Sequence, residues 1–466
     1  MRDQSLRAHV RNLEQQGELL RITKEVDPHE NLSAVGWKAY DRLAKSTLFT
    51  NLKGFPGWQV VNQAIADRTK WSIALGVEPD RLISTLVERI KKPVKPAMVE
   101  RATAPCKEVI KLGKDADLTK LPAMWTSQAD PGPYIAAGMV IIKDPETGIR
   151  NMSIHRQQIL GPDRTGFLIC PRHALRIYEM YQKKKQPMPA AVVVGAHPAL
   201  YYAAGFTSSY GLDELEVAGG LLEDPIRMVK CETIDIEVPA DAELVIEGEI
   251  LPEEMTPEGP FGEASGNYAM EGSTEVFVVK AITHRRDPIF YGMQCGAPMT
   301  DTQSITATCI ETVITDHLKN VEGGLDLLDV RCLGIAGLMA VVLKIRPRVA
   351  GQAKTALIAA LSSPYMHPKL AIAVDDDIDA SDLRQVFWSL TTRVHAEDDI
   401  VKLPNSRIWS LDNISDIVPG MSAMYRVGTK WIIDATRPPV TSPDRARFAK
   451  AMPTNHGQID ISEFLT

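Results

Sequence analysis

Short β-type runs punctuated by glycine and proline fill the middle of this chain. Met139-Val-Ile-Ile-Lys143, Ala191-Val-Val-Val-Gly195, Leu244-Val-Ile-Glu-Gly248 and Val276-Phe-Val-Val-Lys280 are four of them, all between about residues 110 and 295. Runs of this length, rich in β-branched residues and bounded by turn formers, read as buried strands. One helical segment, Arg172 to Lys185, lies between two of them. The middle of the chain is therefore expected to be a mostly antiparallel sheet or barrel with inserted helices.

The flanks read differently. Leu6, Val10 and Leu13 recur at helical spacing within residues 4–16, which predicts an opening amphipathic helix. Strand-like Ser46–Thr50 and Trp58–Asn62 follow, then a helix over 80–92 with Leu82, Leu86, Val87 and Ile90 on one side. Pro93, Pro96 and Thr103-Ala-Pro105 mark a linker. Thr302 to Lys319 contains neither glycine nor proline and predicts one long connecting helix. Beyond it, strand-like Leu338–Leu343 and Leu370–Val374 alternate with helical Lys354–Leu361 and Ser381–Thr392, the rhythm of an α/β layer. The tail after Pro438 is polar and ends in Ile459-Asp-Ile-Ser-Glu-Phe-Leu465, expected to dock on a partner subunit. With 466 residues, too many for one ordinary core, the expected class is a multidomain α+β and α/β protein. Its expected parts are an N-terminal α+β region (1–110), a sheet domain (111–300), a connecting helix (301–320) and a C-terminal α/β domain (321–466).

Charge and cysteine content narrow the function classes. A net charge of -7 and a pI near 5.9 argue against a nucleic-acid binder, which needs a basic face. No uncharged apolar run is long enough for a bilayer, and the first 22 residues are charged and amphipathic, unlike a signal peptide. Six cysteines without a CxxC pair suit reduced thiols in a cytoplasmic protein.

Three stretches carry chemistry. Glu258-Gly-Pro-Phe-Gly-Glu-Ala-Ser-Gly266 places two carboxylates five residues apart on a shaped loop. Held close together, one acid stays ionised while the proton affinity of the other rises, which suits acid–base work; alone, a loop glutamate is more often simply solvated. In Asn151-Met-Ser-Ile-His-Arg156, residues 151, 153 and 155 share one strand face, and Arg156 is the type of cation that clamps a carboxylate. Pro171-Arg-His173 and Asp213-Glu-Leu-Glu-Val-Ala-Gly219 add His173 and Glu214. With the Asn151 amide they form an oxygen-leaning set suited to Mg²⁺ or Mn²⁺ beside a phosphate, although the residues are far apart in sequence.

Read in order, the motifs N-x-S-I-x-R, R-H, V-G-x-x-P, E-x-x-x-A-G-G-L-L, V-P-A-x-A-E-x-V-I-E-G-E and E-G-P-F-G-E resemble the UbiD family of prenylated-FMN-dependent (de)carboxylases. The resemblance covers about residues 110–275 and continues more loosely through Val374–Ile378, Trp388–Arg393 and Ile433–Thr436. It implies a split β-barrel-like flavin domain joined by a long helix to an α/β oligomerisation domain, with the site between them. It implies a catalytic set of Arg156, Glu258 and Glu263, with Glu263 as proton donor. For the cofactor it implies Asn151, His173 and Glu214 as ligands of Mn²⁺ (or Mg²⁺), with K⁺ beside it. Ser153, Ile154, Arg156, Arg172, His173 and Lys369 are implied along the phosphate and ring. The implied reaction is reversible non-oxidative decarboxylation of an aromatic or heteroaromatic acid through a covalent adduct with prenylated FMN. Its implied partners are the acid, carbon dioxide, a flavin prenyltransferase that supplies the cofactor, and further copies in a homodimer or homohexamer. The expected substrate pocket draws on Met293–Cys295, Met299–Thr302 and Ser389–His395. A cinnamate-type acid, a metal-dependent hydrolase and a non-enzymatic relative are the alternatives; all three catalytic positions being filled counts against the last.

Overall fold

The computed structural model describes residues 3–269, 272–296, 299–321, 324–422 and 424–465. The opening helix, Leu6–Gln15, buries Leu6, Val10 and Leu13 as its spacing predicts, and the Ser5 hydroxyl caps it by accepting from the Ala8 N–H. It packs beside a small sheet whose strands run in the order Leu19–Ile22, Ser46–Phe49, Gln59–Asn62 and Ile289–Tyr291. The last of these comes from far along the chain and pairs parallel with Gln59–Asn62. Asn62 and Gln63 reinforce the junction by donating to the Gly292 carbonyl and the Gln294 side chain.

The middle of the chain forms a nine-stranded sheet in which every pairing is antiparallel. Its spine is two long strands, Leu244–Glu258 and Gly272–His284. Their register slips at Glu247/Gly248 and again between Ile250 and Met255, and such bulges bend and twist a sheet. Gly248 is required at the first slip, since a Cβ there would sit 2.1 Å from the Val278 carbonyl oxygen. The helix expected within this region runs from His173 to Lys183.

The long helix is Asp301–Val321. Ile305, Cys309, Ile310, Ile314 and Leu318 on it are buried, a stripe at helical spacing. It leads into a six-stranded sheet whose central strands, Ala340–Arg346, Leu370–Val374 and Arg426–Ala435, are parallel. Helix Gln352–Leu361 crosses between the first two, as strand–helix alternation requires. Asp375, Asp376 and Asp377 follow the second strand and are the one trio of carboxylates, among the described residues, close enough to share an ion. Arginines occupy them instead: Arg437 and Arg445 pair with Asp375 and Asp376, Arg346 with Asp376, and Arg393 with Asp377. In the tail, Ile459, Ile461, Phe464 and Leu465 lie exposed.

Asp301, the first residue of the long helix, is fully buried and accepts the Ile65 N–H at 2.8 Å. Burial pushes its carboxyl from 3.8 up to about 7, against the opposing pull of that N–H. The unfolded chain gives up this proton near pH 3.8 and the folded protein only near 7, so this group's stability contribution falls as pH rises through that window. Asp301→Asn keeps the acceptor for Ile65 and removes the dependence. Its unfolding temperature is expected to match wild type at pH 4 and exceed it by several degrees at pH 8, measured side by side.

Candidate active site

The two long strands deliver the site to one end of the nine-stranded sheet, where Glu258 pairs with Gly272. Glu258 is the last residue of its strand, and the chain then turns through Gly259, at a φ of 83° that favours glycine. Phe261–Gly262 pairs antiparallel with Tyr268–Ala269. Between these short strands the Glu263 N–H donates to the Asn267 carbonyl and the Gly266 N–H to the Glu263 carbonyl, both at 2.9 Å. The motif is therefore a closed hairpin tip with one carboxylate at each end of its first arm.

Arg156, two residues past the strand Arg150–Ile154, joins them. Its Nε and Nη2 donate to both oxygens of Glu258, at 2.8 and 2.7 Å, a bidentate fork. Its Nη1 donates to Glu263 Oε1. The guanidinium carbon lies 4.7 Å from the centre of the Phe261 ring, and Tyr134 packs 4.5 Å from the same ring. Burial opposes the Arg156 charge, but Glu263 and Glu258 outweigh it and hold the group protonated beyond its usual range. The two acids are not equivalent. Glu258 spends both oxygens on the fork and its side chain is 5% exposed, whereas Glu263 is 14% exposed. Glu263 Oε2 meets only the Ala264 N–H, at 3.1 Å. Two carboxylates share one cation, and Glu263 keeps one oxygen that the guanidinium does not touch.

The second cluster lies along the same strand. Asn151, Ser153 and His155 share its polar face: the Ser153 hydroxyl lies 3.4 Å from Asn151 Oδ1 and 2.8 Å from His155 Nε2. His155 is buried, stacks on Phe167 and bonds the Leu168 carbonyl. Glu214, at the N-terminus of helix Glu214–Leu222, is joined to Asn151 Nδ2 at 3.1 Å and to the Met152 N–H at 2.8 Å. His173 opens its own helix and lines one small cavity with Asn151, Tyr210 and Leu212. Asn151 thus adjoins both Glu214 and His173 despite their separation in sequence. Glu214 makes no ion pair among the described residues, and burial pushes its carboxyl up to about 7. A buried acid bonded to the Asn151 amide, with no ion pair among the described residues and with His173 beside that asparagine, is a donor set that fits a divalent ion.

Arg172 precedes His173, donates to the Thr207 hydroxyl and lies 6.0 Å from the Tyr365 ring. Ile154 is partly buried against the core. Lys369 stands just before its strand as expected, with its ammonium bonded to both oxygens of Asp412 at 2.9 Å. Of the expected pocket stretches, Cys295 bonds Thr302 at 3.1 Å. Burial, and then the charge of Glu263, push its thiol up to about 12. In the 389–395 stretch, Ser389 bonds the Val386 carbonyl of its own helix and Arg393 is held by Asp377 and the Phe448 carbonyl. Tyr134 and Asp130 belong to no sequence motif, yet both touch the Glu258–Gly266 hairpin.

Three domain patterns match nearly the whole length. They are described as the N-terminal, Rift-related and C-terminal domains of 3-octaprenyl-4-hydroxybenzoate carboxy-lyase, and they cover residues 10–90, 97–298 and 304–435. The chain belongs to the UbiD family. Among UbiD relatives, the phenolic acid decarboxylase of Sedimentibacter hydroxybenzoicus is 31% identical over 457 residues, 94% of this chain and 92% of the relative. The UbiD-class enzyme HmfF from Pelotomaculum thermopropionicum, in complex with FMN, superposes with a TM-score of 0.90 at 33% identity, covering 99% of this chain and 100% of that one. An evolved dimeric form of HmfF, in complex with prFMN, gives 0.87 at 32%, with the same coverage. The Klebsiella pneumoniae 3,4-dihydroxybenzoic acid decarboxylase gives 0.88 at 28%, covering 99% of each chain. The shared architecture is a multidomain α/β fold with a curled half-barrel sheet. Among the described residues no helix is long and apolar enough to cross a membrane.

Proposed function

We propose that this chain is a reversible, non-oxidative decarboxylase of an aromatic or heteroaromatic acid, dependent on prenylated FMN. The observation that carries the reading is the Arg156 clamp: one cation fixes Glu258 with two bonds and takes only one oxygen of Glu263, leaving the other with the Ala264 N–H alone. The full-length likeness to a phenolic acid decarboxylase and to a 3,4-dihydroxybenzoic acid decarboxylase supports the substrate class. The prFMN-bound form of HmfF supports the cofactor.

Asn151, His173 and Glu214 would hold Mn²⁺ or Mg²⁺ with K⁺ beside it. Arg172 and the N-terminus of helix His173–Lys183 would face the phosphate, since free N–H groups and a basic side chain favour an anion. Ser153 and Ile154 would line the cofactor through their backbone, and Lys369 would reach the phosphate only by giving up Asp412. Prenylated FMN, when bound, supplies the electron sink that lets a carbon–carboxylate bond break. The protein's own work is to hold the acid against that surface, exclude water and deliver a proton. Glu263 gives its proton to the carbon that has lost carbon dioxide. Arg156 and Glu258 fix its direction and are themselves fixed by Phe261 and Tyr134. A homodimer or homohexamer is the proposed assembly, supported by the exposed apolar tail and by the dimeric HmfF form.

The test is protein co-produced with a flavin prenyltransferase, its released cofactor identified by absorbance and mass. Carbon dioxide release is then assayed on hydroxybenzoic, heteroaromatic and cinnamic acids. Bound prenylated FMN with turnover of an aromatic acid is expected. Turnover confined to cinnamates overturns the substrate class, and protein that binds a divalent ion but never the flavin overturns the reaction. In the same preparation, Glu214→Gln is expected to lower ion and cofactor content at least about tenfold, read by elemental analysis and absorbance. Unchanged content would remove Glu214 from the ligand set.

A further inference from the structure

Glu263 sits on a hairpin tip whose paired arms are two residues each, too little to hold a carboxylate still by itself. The segment 125–130 supplies what is missing. Asp130 is buried, with its two carboxylate oxygens committed to two different N–H groups: Oδ1 accepts from Gly262 at 3.0 Å and Oδ2 from Ser127 at 2.8 Å. The Asp130 carbonyl accepts the Trp125 indole N–H at 2.9 Å, and the Asp130 N–H donates to the Ser127 carbonyl at 3.1 Å. One residue away, the Ala129 N–H donates to the Tyr268 hydroxyl on the opposite arm of the hairpin, at 3.1 Å. Packing closes the remaining space, since a Cβ on Gly262 would lie 2.2 Å from Ser127 Oγ and 2.9 Å from Ser127 Cβ. Gly262 is the residue immediately before Glu263.

We propose that the 127–130 turn is a clamp on the catalytic hairpin, and that Asp130 is the positioning residue that sets where Glu263 presents its carboxyl. The inference rests on Glu263 being the proton donor. Only a carboxylate suits the position, because it offers two acceptors to two donors. An amide offers one acceptor and turns an NH₂ toward the second N–H. Burial raises the proton affinity of Asp130, and the N–H groups of Gly262 and Ser127, then Arg156, offset it in part. An acid needed only to shape a surface turn has no reason to lie in so dry a place. A displacement of about 1 Å at a reacting group costs on the order of 10²-fold in rate, so a clamp of this kind acts on kcat rather than on affinity.

The experiment uses cofactor-loaded protein with 3,4-dihydroxybenzoate, or whichever acid of the panel it turns over, and four variants: Asp130→Asn, Gly262→Ala, Ser127→Gly combined with Gly262→Ala, and Glu263→Gln. Cofactor absorbance, kcat, KM and the rate at which product exchanges its ring hydrogen in D₂O are measured on each. Asp130→Asn and Gly262→Ala are expected to lower kcat and exchange together by about 30-fold or more. KM and loading should change less than about threefold, as expected when only transition-state contacts are lost. The double variant, with the colliding side chain gone, is expected to recover most of the loss. Wild-type kcat in Asp130→Asn overturns the clamp, as does a loss carried by KM and loading. Should Asp130→Asn not fold, the Gly262→Ala pair decides: recovery in the double variant supports the clamp and its absence overturns it. Glu263→Gln separates the two readings. If it keeps turnover, the proton-donor reading fails and the clamp with it. If it is inactive while the other variants keep wild-type kcat, the clamp alone is wrong.

Discussion

Replacing Glu263 by Gln gives a folded, cofactor-loaded protein that releases carbon dioxide at least about 10³-fold more slowly than wild type, within the range a positioned general acid supplies. The change removes the transferable proton and one acceptor oxygen. Glutamine keeps an oxygen for Arg156 Nη1 and gives up only the 3.1 Å bond from the Ala264 N–H, while the Glu263–Asn267 and Gly266–Glu263 backbone bonds still close the hairpin. Glu258→Gln is a different experiment, because an amide meets only one of the two guanidinium N–H groups that Glu258 now accepts. Stopped-flow carbon dioxide release and cofactor absorbance on the same samples decide the matter. Turnover within tenfold of wild type in Glu263→Gln would pass the proton role to another group.

Arg156→Met carries the second large effect, on stability as well as on rate. Methionine fills much of the space over Phe261, but it leaves the buried Glu258 and the nearly buried Glu263 facing each other with no cation between them. Removing one partner of a buried ion pair costs about 3–5 kcal/mol. Here two acids are stranded, so at neutral pH the variant is expected to unfold at clearly lower denaturant concentration than wild type. A denaturation midpoint equal to that of wild type would show that the Arg156 clamp carries no stability. Turnover is expected to be undetectable at every pH.

Much of this was legible before any coordinates. Local signals carry the opening helix, the antiparallel character of the middle sheet and the long helix after residue 300, because spacing and the placement of glycine and proline act over a few residues. The alternation of Asn151, Ser153 and His155 on one face also needs only strand geometry. What stayed hidden depends on contacts across long stretches of chain. Asp130 and Tyr134 reach the hairpin from more than a hundred positions away and sit in no motif. The pairing of Lys369 with Asp412 belongs to the same class. So does the engagement of Arg393 with the Phe448 carbonyl. A triple aspartate looks like a metal site in one dimension, and only the folded chain shows four arginines spent on it.

The first sheet of the protein borrows its fourth strand, Ile289–Tyr291, from the far side of the nine-stranded sheet. A ribosome adds about 5–20 residues per second. The wait between Asn62 and Tyr291 is therefore roughly 10–50 s, during which Gln59–Asn62 has an open edge while the rest of its sheet is complete. Valine-rich open edges are what chaperones and neighbouring chains bind. A gene cut after the linker at Pro93–Pro105 would encode a fragment left in that state permanently, so expression of the N-terminal region alone should yield aggregates. A circular permutant that begins near residue 285 would bring the missing strand to the start of synthesis and shorten the exposure.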